Sequence, residues 1–477
     1  MLFNSIAYFV FLPLVVLLYF LLPQQWRNIM LLAASCYFYM VFIPVYVLIL
    51  GFTIVIDYYA GIYLEKFQGD RRRYFLILSI VANVSVLAFF KYYNFVNNNI
   101  SVFLASFGYI NPVPDLGIAL PIGLSFHTFQ AMSYTIEVYR GNQKAEHNFL
   151  TYALYVMFFP QLVAGPIERP QNMLHQFYEK HHFTVDRLIT GSKLILWGLF
   201  KKVVIADRLA AYTDVVYSNP HQFGSSTLLL ATFFFTFQIY CDFSGYSDIA
   251  IGSAHILGFR LMQNFNLPYL SRSISDFWKR WHISLSTWFS DYVYKPMGGN
   301  RVPRYRWVFN IFTVFLLSGL WHGANWTYVI WGGLHGAYYL VEYTAAIIGR
   351  KTGLDKRIGS SIVWKIFQTM YVFVIVLVAW VFFRASSVDD AMYIVTHMLT
   401  GFTLQLYTGS SAFETVVSLA LILLLFVVQL FQYKGIAGIY FFPSRIPWLF
   451  RWTGYAFTII LIGMLGVSSE KFIYFQF

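Results

Sequence analysis

The sequence predicts an all-α, polytopic integral membrane protein, on the basis of its composition and its repeated apolar runs. Of its 477 residues, 58% are hydrophobic and only 11% are charged, which is too apolar for a soluble fold of this size. Apolar runs recur along the chain, and several approach the ~20 residues that a membrane-spanning helix requires. We predict one membrane-embedded domain over residues 1–477, with roughly eleven spans and additional re-entrant or interfacial helices.

The chain is basic, with a formal net charge of +12. Such a charge can indicate an anionic partner such as nucleic acid. In a polytopic membrane protein it more often reflects basic loops on the cytoplasmic side. We therefore expect the lipid bilayer, and no nucleic acid, as a partner. Cys36 and Cys241 are far apart in apolar surroundings and give neither a disulfide framework nor a metal-ligand cluster.

The N-terminal region predicts four consecutive spans separated by short turns. The third holds a carboxylate, Asp57, inside its apolar run. The basic segment 66–73 follows it, and if this loop is cytoplasmic the N-terminus lies outside. The four predicted spans are residues 6–22, 28–48, 49–64 and 74–90.

The next region predicts helices that are broken by proline and glycine. The stretch 116–139 contains Pro121 and Gly123, and 149–170 contains the motif FPQLVAGPIERP. The prolines and the glycine of this motif rule out one straight helix, so we predict a re-entrant or broken segment lining a cavity. The polar stretch 170–187 predicts a loop. Its histidines match no standard metal-ligand spacing.

Two further stretches combine apolar and charged residues. Residues 191–209 predict an interfacial helix with its lysines toward lipid headgroups, or a short span with snorkelling ends. Residues 227–257 predict a long apolar helix that contains a polar run with two carboxylates, Asp242 and Asp248. This run is as compatible with a polar cavity wall as with a buried hydrogen-bonded cluster that joins helices.

The stretch 271–292 is too polar to face lipid, and we predict an amphipathic or re-entrant helix. At helical spacing its tryptophans share one stripe, and Lys279, His282 and Ser286 share a neighbouring face. Asp276 precedes Arg280 by four residues, a favourable ion-pair spacing. The prediction turns the tryptophans inward and presents His282 to a cavity. The apolar stripe is Trp278, Trp281, Leu285, Trp288 and Tyr292.

The stretch SGLWHGANW (318–326) is the strongest candidate for a functional site. His322 lies between two apolar helices, and an ionisable group in hydrocarbon usually lines a polar cavity. The alternative is a core histidine satisfied by a neighbouring helix. Basic loops at 301–306 and 350–357 make 307–343 a hairpin, with His322 about 24 Å from the cytoplasmic end.

A histidine in a protein-lined cavity can act as a general base on a hydroxyl, and His282 could orient the acceptor, contact an acyl carbonyl or act as the acid. The residues alone do not exclude a transporter whose histidines bind substrate or relay protons. We expect His127, His255 and His335 to be structural. The remaining predicted spans are 362–383, 416–430 and 453–467.

Several motifs resemble the membrane-bound O-acyltransferase family, and in particular its bacterial alginate O-acetylation branch. The resemblance runs through most of the chain and is densest between Asp242 and Gly336. Departures at Glu168, Cys241 and Lys295 leave the particular polymer open. The motifs are GLSFHTFQAMSYTIEVYRG (123–141), FPQLVAGPIERP (159–170), GLFKKVVIADRLA (198–210), DFSGYSDIAIG (242–252), NFNLPYLSRSISDFWKRWHISLSTWFSDYVYKPMGGNR (264–301), LSGLWHGANWTYVIWGGLHG (317–336) and WVFFRA (380–385).

The resemblance implies a ring of helices around a central funnel or tunnel, with His322 as the catalytic histidine and His282 as the second motif histidine. It also implies a bacterial cytoplasmic (inner) membrane location and a cytoplasmic acyl donor, acetyl-coenzyme A or another acyl thioester, with no bound cofactor or metal. The expected partners are periplasmic or membrane-anchored polysaccharide O-acetylation proteins. The residues expected to line the tunnel and contact substrate are Asn325, Trp321, Asp242, Ser244, Tyr246, Lys279, Arg280 and Ser286.

The sequence therefore predicts an O-acetyltransferase for an exported polysaccharide such as alginate or cellulose. Two alternatives within the family are D-alanyl transfer to teichoic acid and acetylation of peptidoglycan. A glycan transporter without covalent chemistry is the alternative from another class.

Overall fold

The computed structural model describes residues 1–163, 165–353, 361–401, 406–409, 411–435, 447–467 and 472–473. These residues form helices and connecting loops with no strand, which confirms the all-α prediction. The α-helices, numbered here in chain order, are α1 (Ile6–Leu21), α2 (Gln24–Met40), α3 (Tyr46–Lys66), α4 (Gly69–Ala105), α5 (Leu124–Arg140), α6 (Phe149–Met157), α7 (Phe159–Leu162), α8 (Pro170–Met173), α9 (Val185–Leu199), α10 (Asp207–Ser218), α11 (Ser225–Leu257), α12 (Ile274–Trp278), α13 (Ile283–Phe289), α14 (Arg304–His322), α15 (Trp326–Thr352), α16 (Ile362–Arg384), α17 (Val388–His397), α18 (Ala412–Tyr433) and α19 (Trp448–Leu465).

Six of these helices are long and apolar enough to cross a membrane: α3, α4, α11, α16, α18 and α19. Helix α1 is also apolar but has only 16 residues. The chain is therefore a multi-pass membrane protein. The expected count of roughly eleven spans is not confirmed.

Proline and glycine set helix boundaries that hydropathy misplaced. The predicted span 28–48 contains Pro44, and the structure ends α2 at Met40 and begins α3 at Tyr46. Proline disfavours the helical conformation of the residue before it, which explains this break. The stretch 116–139, predicted to be broken by Pro121 and Gly123, is helical only from Leu124, because Gly123 adopts a left-handed conformation with φ of 77°.

The helices divide into two compact units. The first comprises Met1–Ile195 and Ile249–Met262, and the second comprises Leu196–Asp248 and Gln263–Phe477. The single membrane-embedded domain and its central funnel stay predictions.

In the first unit, a buried polar network joins α3, α4 and α5. The Asp57 carboxylate accepts hydrogen bonds from Ser79 Oγ at 2.6 Å and from Asn83 Nδ2 at 2.9 Å. Ser79 Oγ also contacts Thr135 Oγ1 at 3.1 Å. Polar side chains that bond between helices hold them together where apolar contacts give little selectivity. Asp57, which the sequence placed inside a span, therefore joins helices.

The broken segment predicted at 149–170 is confirmed, since α6, α7 and α8 replace one straight helix. Glu168 lies in the connection before α8 and is buried. Its carboxylate accepts a hydrogen bond from the backbone N–H of Met262, within the same unit. Burial raises the pKa of Glu168 to about 7, because desolvation disfavours the charged carboxylate.

In the second unit, the stretch 271–292 differs from the single helix that its periodicity predicted. It folds as α12, a turn, α13 and a π-helix, Ser290–Tyr294. His282 lies in the turn with φ of 43°, a left-handed conformation that a non-glycine residue adopts at a cost. The single continuous helix was therefore wrong, but Trp281, Leu285 and Trp288 of the predicted stripe are buried.

Helices α14 and α15 form the predicted hairpin in the second unit. A Cβ atom added at Gly319 would lie 2.2 Å from the carbonyl oxygen of Tyr328, and one at Gly332 would lie 2.3 Å from that of Phe315. These glycines let the two backbones approach closely, as small residues do in membrane helix pairs. Lys356 and Arg357 of the predicted basic loop lie outside the described residues.

We predict that Gly332→Ala destabilises the hairpin, whereas Gly333→Ala does not. The first Cβ would collide with backbone, and overpacking of this kind typically costs about 1–3 kcal/mol. At Gly333 the nearest atom to an added Cβ is 3.8 Å away, on the Leu316 side chain. Thermal unfolding of the purified proteins in detergent, followed by tryptophan fluorescence, measures the difference. Equal midpoints for the two variants would contradict the close packing of α14 on α15.

Candidate active site

The two candidate histidines come together in the second unit. His322 is the last residue of α14 and His282 directly precedes α13. Their ring centroids are 6.4 Å apart, and both side chains are buried. A hydrogen bond between heavy atoms spans roughly 2.6–3.2 Å, so imidazoles at this separation can both contact one reacting group.

Asn264 holds the ring of His282 in place. Asn264 Oδ1 lies 3.2 Å from His282 Nδ1 and accepts hydrogen bonds from the backbone N–H and the hydroxyl of Ser284. Because a backbone N–H can only donate, the atom facing His282 Nδ1 is the amide oxygen. His282 therefore carries its proton on Nδ1 when neutral, and its Nε2 is an acceptor.

The complete burial of His282 determines the protonation state of its imidazole. His282 lies outside the six candidate spans, between α12 and α13. Its burial lowers the pKa of the imidazole to about 3, because desolvation disfavours the charged ring. His282 is therefore neutral at physiological pH.

Aromatic side chains surround both imidazoles. Trp321 contacts both rings, with centroid distances of 4.9 Å to His322 and 6.0 Å to His282. Phe243 lies edge-on to His282 at 4.6 Å. His322 also contacts Trp331 at 5.1 Å and Phe383 at 5.3 Å. These rings exclude water, and electrostatic interactions are stronger in such surroundings.

A buried ion-pair cluster lies on the same helix as Phe243. Lys202 Nζ is 2.6 Å from Asp242 Oδ1 and 2.8 Å from Asp207 Oδ1. Lys201 Nζ is 2.8 Å from Asp248 Oδ2 and donates to Ser244 Oγ at 2.9 Å. The five charged residues, with Ser244, form what we call the lysine–aspartate cluster.

The cluster corrects the expectation that the lysines of 191–209 reach lipid headgroups. Lys201 and Lys202 are only 3% and 2% exposed, because the aspartates of α11 supply their counter-charges. The cluster also bears on the two readings of the polar run in α11. Asp242, Ser244 and Asp248 join α11 to the lysine segment through hydrogen bonds and ion pairs, as the second reading proposed.

A π-helix, Phe200–Ala206, lets two consecutive lysines reach the same neighbour. On an α-helix adjacent residues point about 100° apart. Gly245 of α11 lets the two helices approach each other closely. An added Cβ there would lie 2.6 Å from the carbonyl oxygen of Gly198 and 3.2 Å from the backbone nitrogen of Lys202. The two sequence motifs GLFKKVVIAD and DFSGYSD are therefore the two halves of one cluster.

The C-terminal residues Phe472 and Ile473 pack against the same face of α11. The backbone N–H of Ile473 donates to Asp242 Oδ2 at 2.8 Å. The Phe472 ring lies 4.4 Å from that of Tyr246 and 6.3 Å from that of Phe243. Tyr246, expected to contact substrate, is thus covered by Phe472.

The remaining expected substrate contacts are spread over different environments. Asn325 caps α15 by accepting from the Thr327 N–H at 3.0 Å, and its amide donates to the Ser386 carbonyl oxygen. Lys279 is exposed. Arg280 forms the predicted ion pair with Asp276 at 2.7 Å, and Ser286 donates to the Trp281 carbonyl oxygen. For these four, and for Trp321, Asp242, Ser244 and Tyr246, contact with substrate stays a prediction.

Sequence reasoning missed Asn264 and the aromatic residues Trp331 and Phe383. Asn264 lies 18 residues before His282, and no periodic pattern relates the two. Trp331 belongs to the quoted motif 317–336, but the sequence gave no reason to place its ring against His322. A tertiary turn and a helix hairpin create these contacts.

Comparisons with known proteins agree with the sequence motifs. A family model described as MBOAT, membrane-bound O-acyltransferase family, matches residues 52–383. The Probable alginate O-acetylase AlgI of Pseudomonas aeruginosa is 39% identical over 433 residues, which are 90% of this chain and 80% of that protein. The Peptidoglycan O-acetyltransferase of Helicobacter pylori is 35% identical over 84% of this chain and 80% of its own length. The Teichoic acid D-alanyltransferase of Bacillus subtilis is 30% identical over 45% of this chain and 56% of its own length.

We predict that Lys202→Met strongly destabilises the chain, because it leaves Asp207 and Asp242 buried near each other without their shared cation. Breaking a buried pair by removing one partner typically costs about 3–5 kcal/mol. Thermal unfolding in detergent measures the loss. The matched control is Lys434→Met, which removes the charge of an exposed lysine.

A second substitution distinguishes the effect of the lost positive charge from the effect of the changed side-chain shape at position 202. Adding Asp242→Asn to Lys202→Met removes one of the two uncompensated carboxylates, so the double variant regains part of the lost stability. A double variant less stable than Lys202→Met would refute the ion-pair account of the cluster.

Proposed function

Because this chain belongs to the membrane-bound O-acyltransferase family, we propose that His322 and His282 form its catalytic centre and serve acetyl transfer to an exported polysaccharide. The chain is an O-acyltransferase of the membrane. The observation that supports the proposal most is the pair of buried imidazoles 6.4 Å apart inside an aromatic wall. Their separation suits one acceptor between them.

His322 acts as the general base. Its imidazole takes the proton of the acceptor hydroxyl while the oxygen attacks the carbonyl carbon of an acyl thioester. The carbon–sulfur bond then breaks, and the leaving thiolate takes the proton from the imidazolium. His322 ends α14, and the negative end of a helix dipole favours the imidazolium that forms in this step.

His282 orients the acceptor. Its Nδ1 proton faces Asn264, so its Nε2 lone pair accepts a hydrogen bond from a second donor group of the acceptor, while the proton of the reacting hydroxyl goes to His322. This assignment selects one of the roles considered for the second histidine. The low pKa of His282 keeps its ring neutral, so that Nε2 stays a hydrogen-bond acceptor.

The acyl donor is acetyl-coenzyme A or another acyl thioester on the cytoplasmic side of a bacterial inner membrane. The donor is a substrate, and no cofactor resident in the protein takes part. The acyl group passes to periplasmic or membrane-anchored polysaccharide O-acetylation proteins that modify the polymer. The basic segments at the ends of the α14–α15 hairpin support a cytoplasmic assignment for those ends.

The acceptor polymer is an exopolysaccharide such as alginate or cellulose. The alginate O-acetylase relatives support this choice through identity over most of both chains. Peptidoglycan is the second candidate, since the peptidoglycan O-acetyltransferase relative also matches most of this chain. The D-alanyltransferase relatives match only 45% of it and support their reaction less.

We predict that His322→Ala abolishes acetylation of the secreted polymer without reducing the polymer yield. Loss of a general base lowers a rate roughly 10²–10⁴-fold. NMR of polymer from cells with matched membrane levels of each variant measures the acetyl signal. His255→Ala serves as the control, because His255 is a half-buried histidine of the first unit.

The outcomes separate the candidate functions. Retained acetylation in His322→Ala would refute the catalytic assignment. Loss of the polymer itself would point to a glycan transporter. Acetyl groups found on peptidoglycan in place of the secreted polymer would favour the second acceptor.

We predict that Asn264→Ala lowers acetylation by up to about 100-fold, the scale of a displaced catalytic group. Asn266→Ala is the matched control, because Asn266 is exposed and its interactions with Arg280 are made by its backbone. If Asn264 acts through the ring of His282, its substitution adds little in a His282→Ala background. Full additivity of the two substitutions would show that Asn264 acts elsewhere.

A further inference from the structure

A groove of about 830 Å³ lies in the second unit, away from both candidate histidines. Its walls are the second half of α15, the first turns of α16 and residues 272–275. The volume falls within the roughly 300–1,000 Å³ of sites that enclose most of a small-molecule ligand. Neither His282 nor His322 lines the groove, so it is separate from the candidate active site.

We propose that this groove binds an anionic phospholipid, with the phosphate held by Arg272 and Arg350 and an acyl chain lying along the apolar walls. The proposal concerns a lipid site and does not depend on the acyl-transfer assignment.

The walls divide into a polar and an apolar part. The polar part includes Arg272, Arg350 and one acidic residue, Glu342, whose carboxylate accepts a hydrogen bond from the Ile274 N–H at 2.6 Å. The formal charge of these three residues is thus +1, and the only carboxylate among them is engaged by the backbone. An anionic headgroup complements this charge. The apolar part consists of Val341, Ala345, Ala346, Ile348, Trp364, Phe367 and Tyr371.

Arg272 lines the groove, and its guanidinium is anchored by Tyr433, which lies outside the lining. Its Nη2 donates to Tyr433 Oη at 2.8 Å, and Tyr433 is the last residue of α18. A guanidinium fixed by one hydrogen bond keeps further donors for phosphate oxygens, which Arg recognises well. Arg350 is exposed in the last turn of α15.

The position along the helices favours a lipid of the cytoplasmic leaflet. Arg304 begins α14, while Arg350 and Lys351 lie in the last turn of α15. Basic residues concentrate at the cytoplasmic face, where anionic lipids are enriched and attract them. Val341, Ile348 and Phe367 are more than half exposed at the mouth of the groove. Hydrocarbon would cover these side chains, whereas a soluble nucleotide would leave them in water.

The test compares lipid retention by the full chain purified in mild detergent. The protein is incubated with equal amounts of phosphatidylglycerol and phosphatidylcholine, and native mass spectrometry counts the bound lipid of each class. We expect the wild type to retain phosphatidylglycerol selectively. In Arg272→Gln/Arg350→Gln its apparent affinity falls roughly fivefold for each arginine removed, or about 25-fold together, while phosphatidylcholine binding is unchanged.

Two further variants control for charge and for shape. Arg304→Gln/Arg306→Gln removes the same charge from exposed arginines at the start of α14 that do not line the groove, and it should keep the wild-type selectivity. Gly349→Leu narrows the groove, because Gly349 lines it and an added Cβ there meets no atom within 4 Å. Leucine also favours the helix over glycine, so this variant leaves α15 folded and should weaken the binding of both lipids.

Three results would overturn the proposal. The first is equal loss of phosphatidylglycerol in the two double-arginine variants, which would mean unspecific charge attraction. The second is full retention of lipid in Gly349→Leu. The third is displacement of phosphatidylglycerol from the wild type by coenzyme A, which would assign the groove to the acyl donor.

Discussion

The second unit depends on one constraint, the pairing of charges that are buried among apolar side chains. Lys201 and Lys202 could not remain there as isolated cations, because an unpaired buried charge costs several kcal/mol. The aspartates of α11 supply the counter-charges and thereby tie α11 to the π-helix. Asp242 extends the same network to Ile473 through a backbone hydrogen bond. Phe243, the next residue on α11, then contacts His282.

Both imidazoles of the candidate centre are held in place by contacts with neighbouring residues. His282 is held by its left-handed backbone and by Asn264, and His322 is held between Trp321, Trp331 and Phe383. Each imidazole thus has a defined orientation before any substrate arrives. The free-energy cost of orienting the two rings is therefore met during folding. Less reorganisation of these groups is then needed in the chemical step. The aromatic walls also keep water, a competing acceptor for an acyl group, away from the rings.

Composition and motif spacing were enough to predict an all-α membrane protein, the α14–α15 hairpin and the Asp276–Arg280 pair. The contacts around His282 could not be predicted, because they depend on a turn that interrupts an apparently regular period of 3.6 residues. The same limitation applied to Lys201 and Lys202. Lysines next to apolar residues suggest an interfacial helix, and their ion pairs with two distant aspartates of α11 and with nearby Asp207 explain why they are buried. Hydropathy also carried the second predicted span across Pro44, where the structure separates α2 from α3.

The π-helix at Phe200–Ala206 has a consequence for comparing this chain with its relatives. A π-turn accommodates one residue more than an α-turn over the same rise. A homologue one residue shorter in this segment would therefore continue as a regular helix, and one of its two lysines would rotate away from α11. An alignment gap in this segment therefore indicates that one lysine has changed direction and that its ion pair with α11 is lost. A gap in a surface loop has neither consequence. Segment length at this position thus indicates whether a relative can direct both lysines toward the helix equivalent to α11.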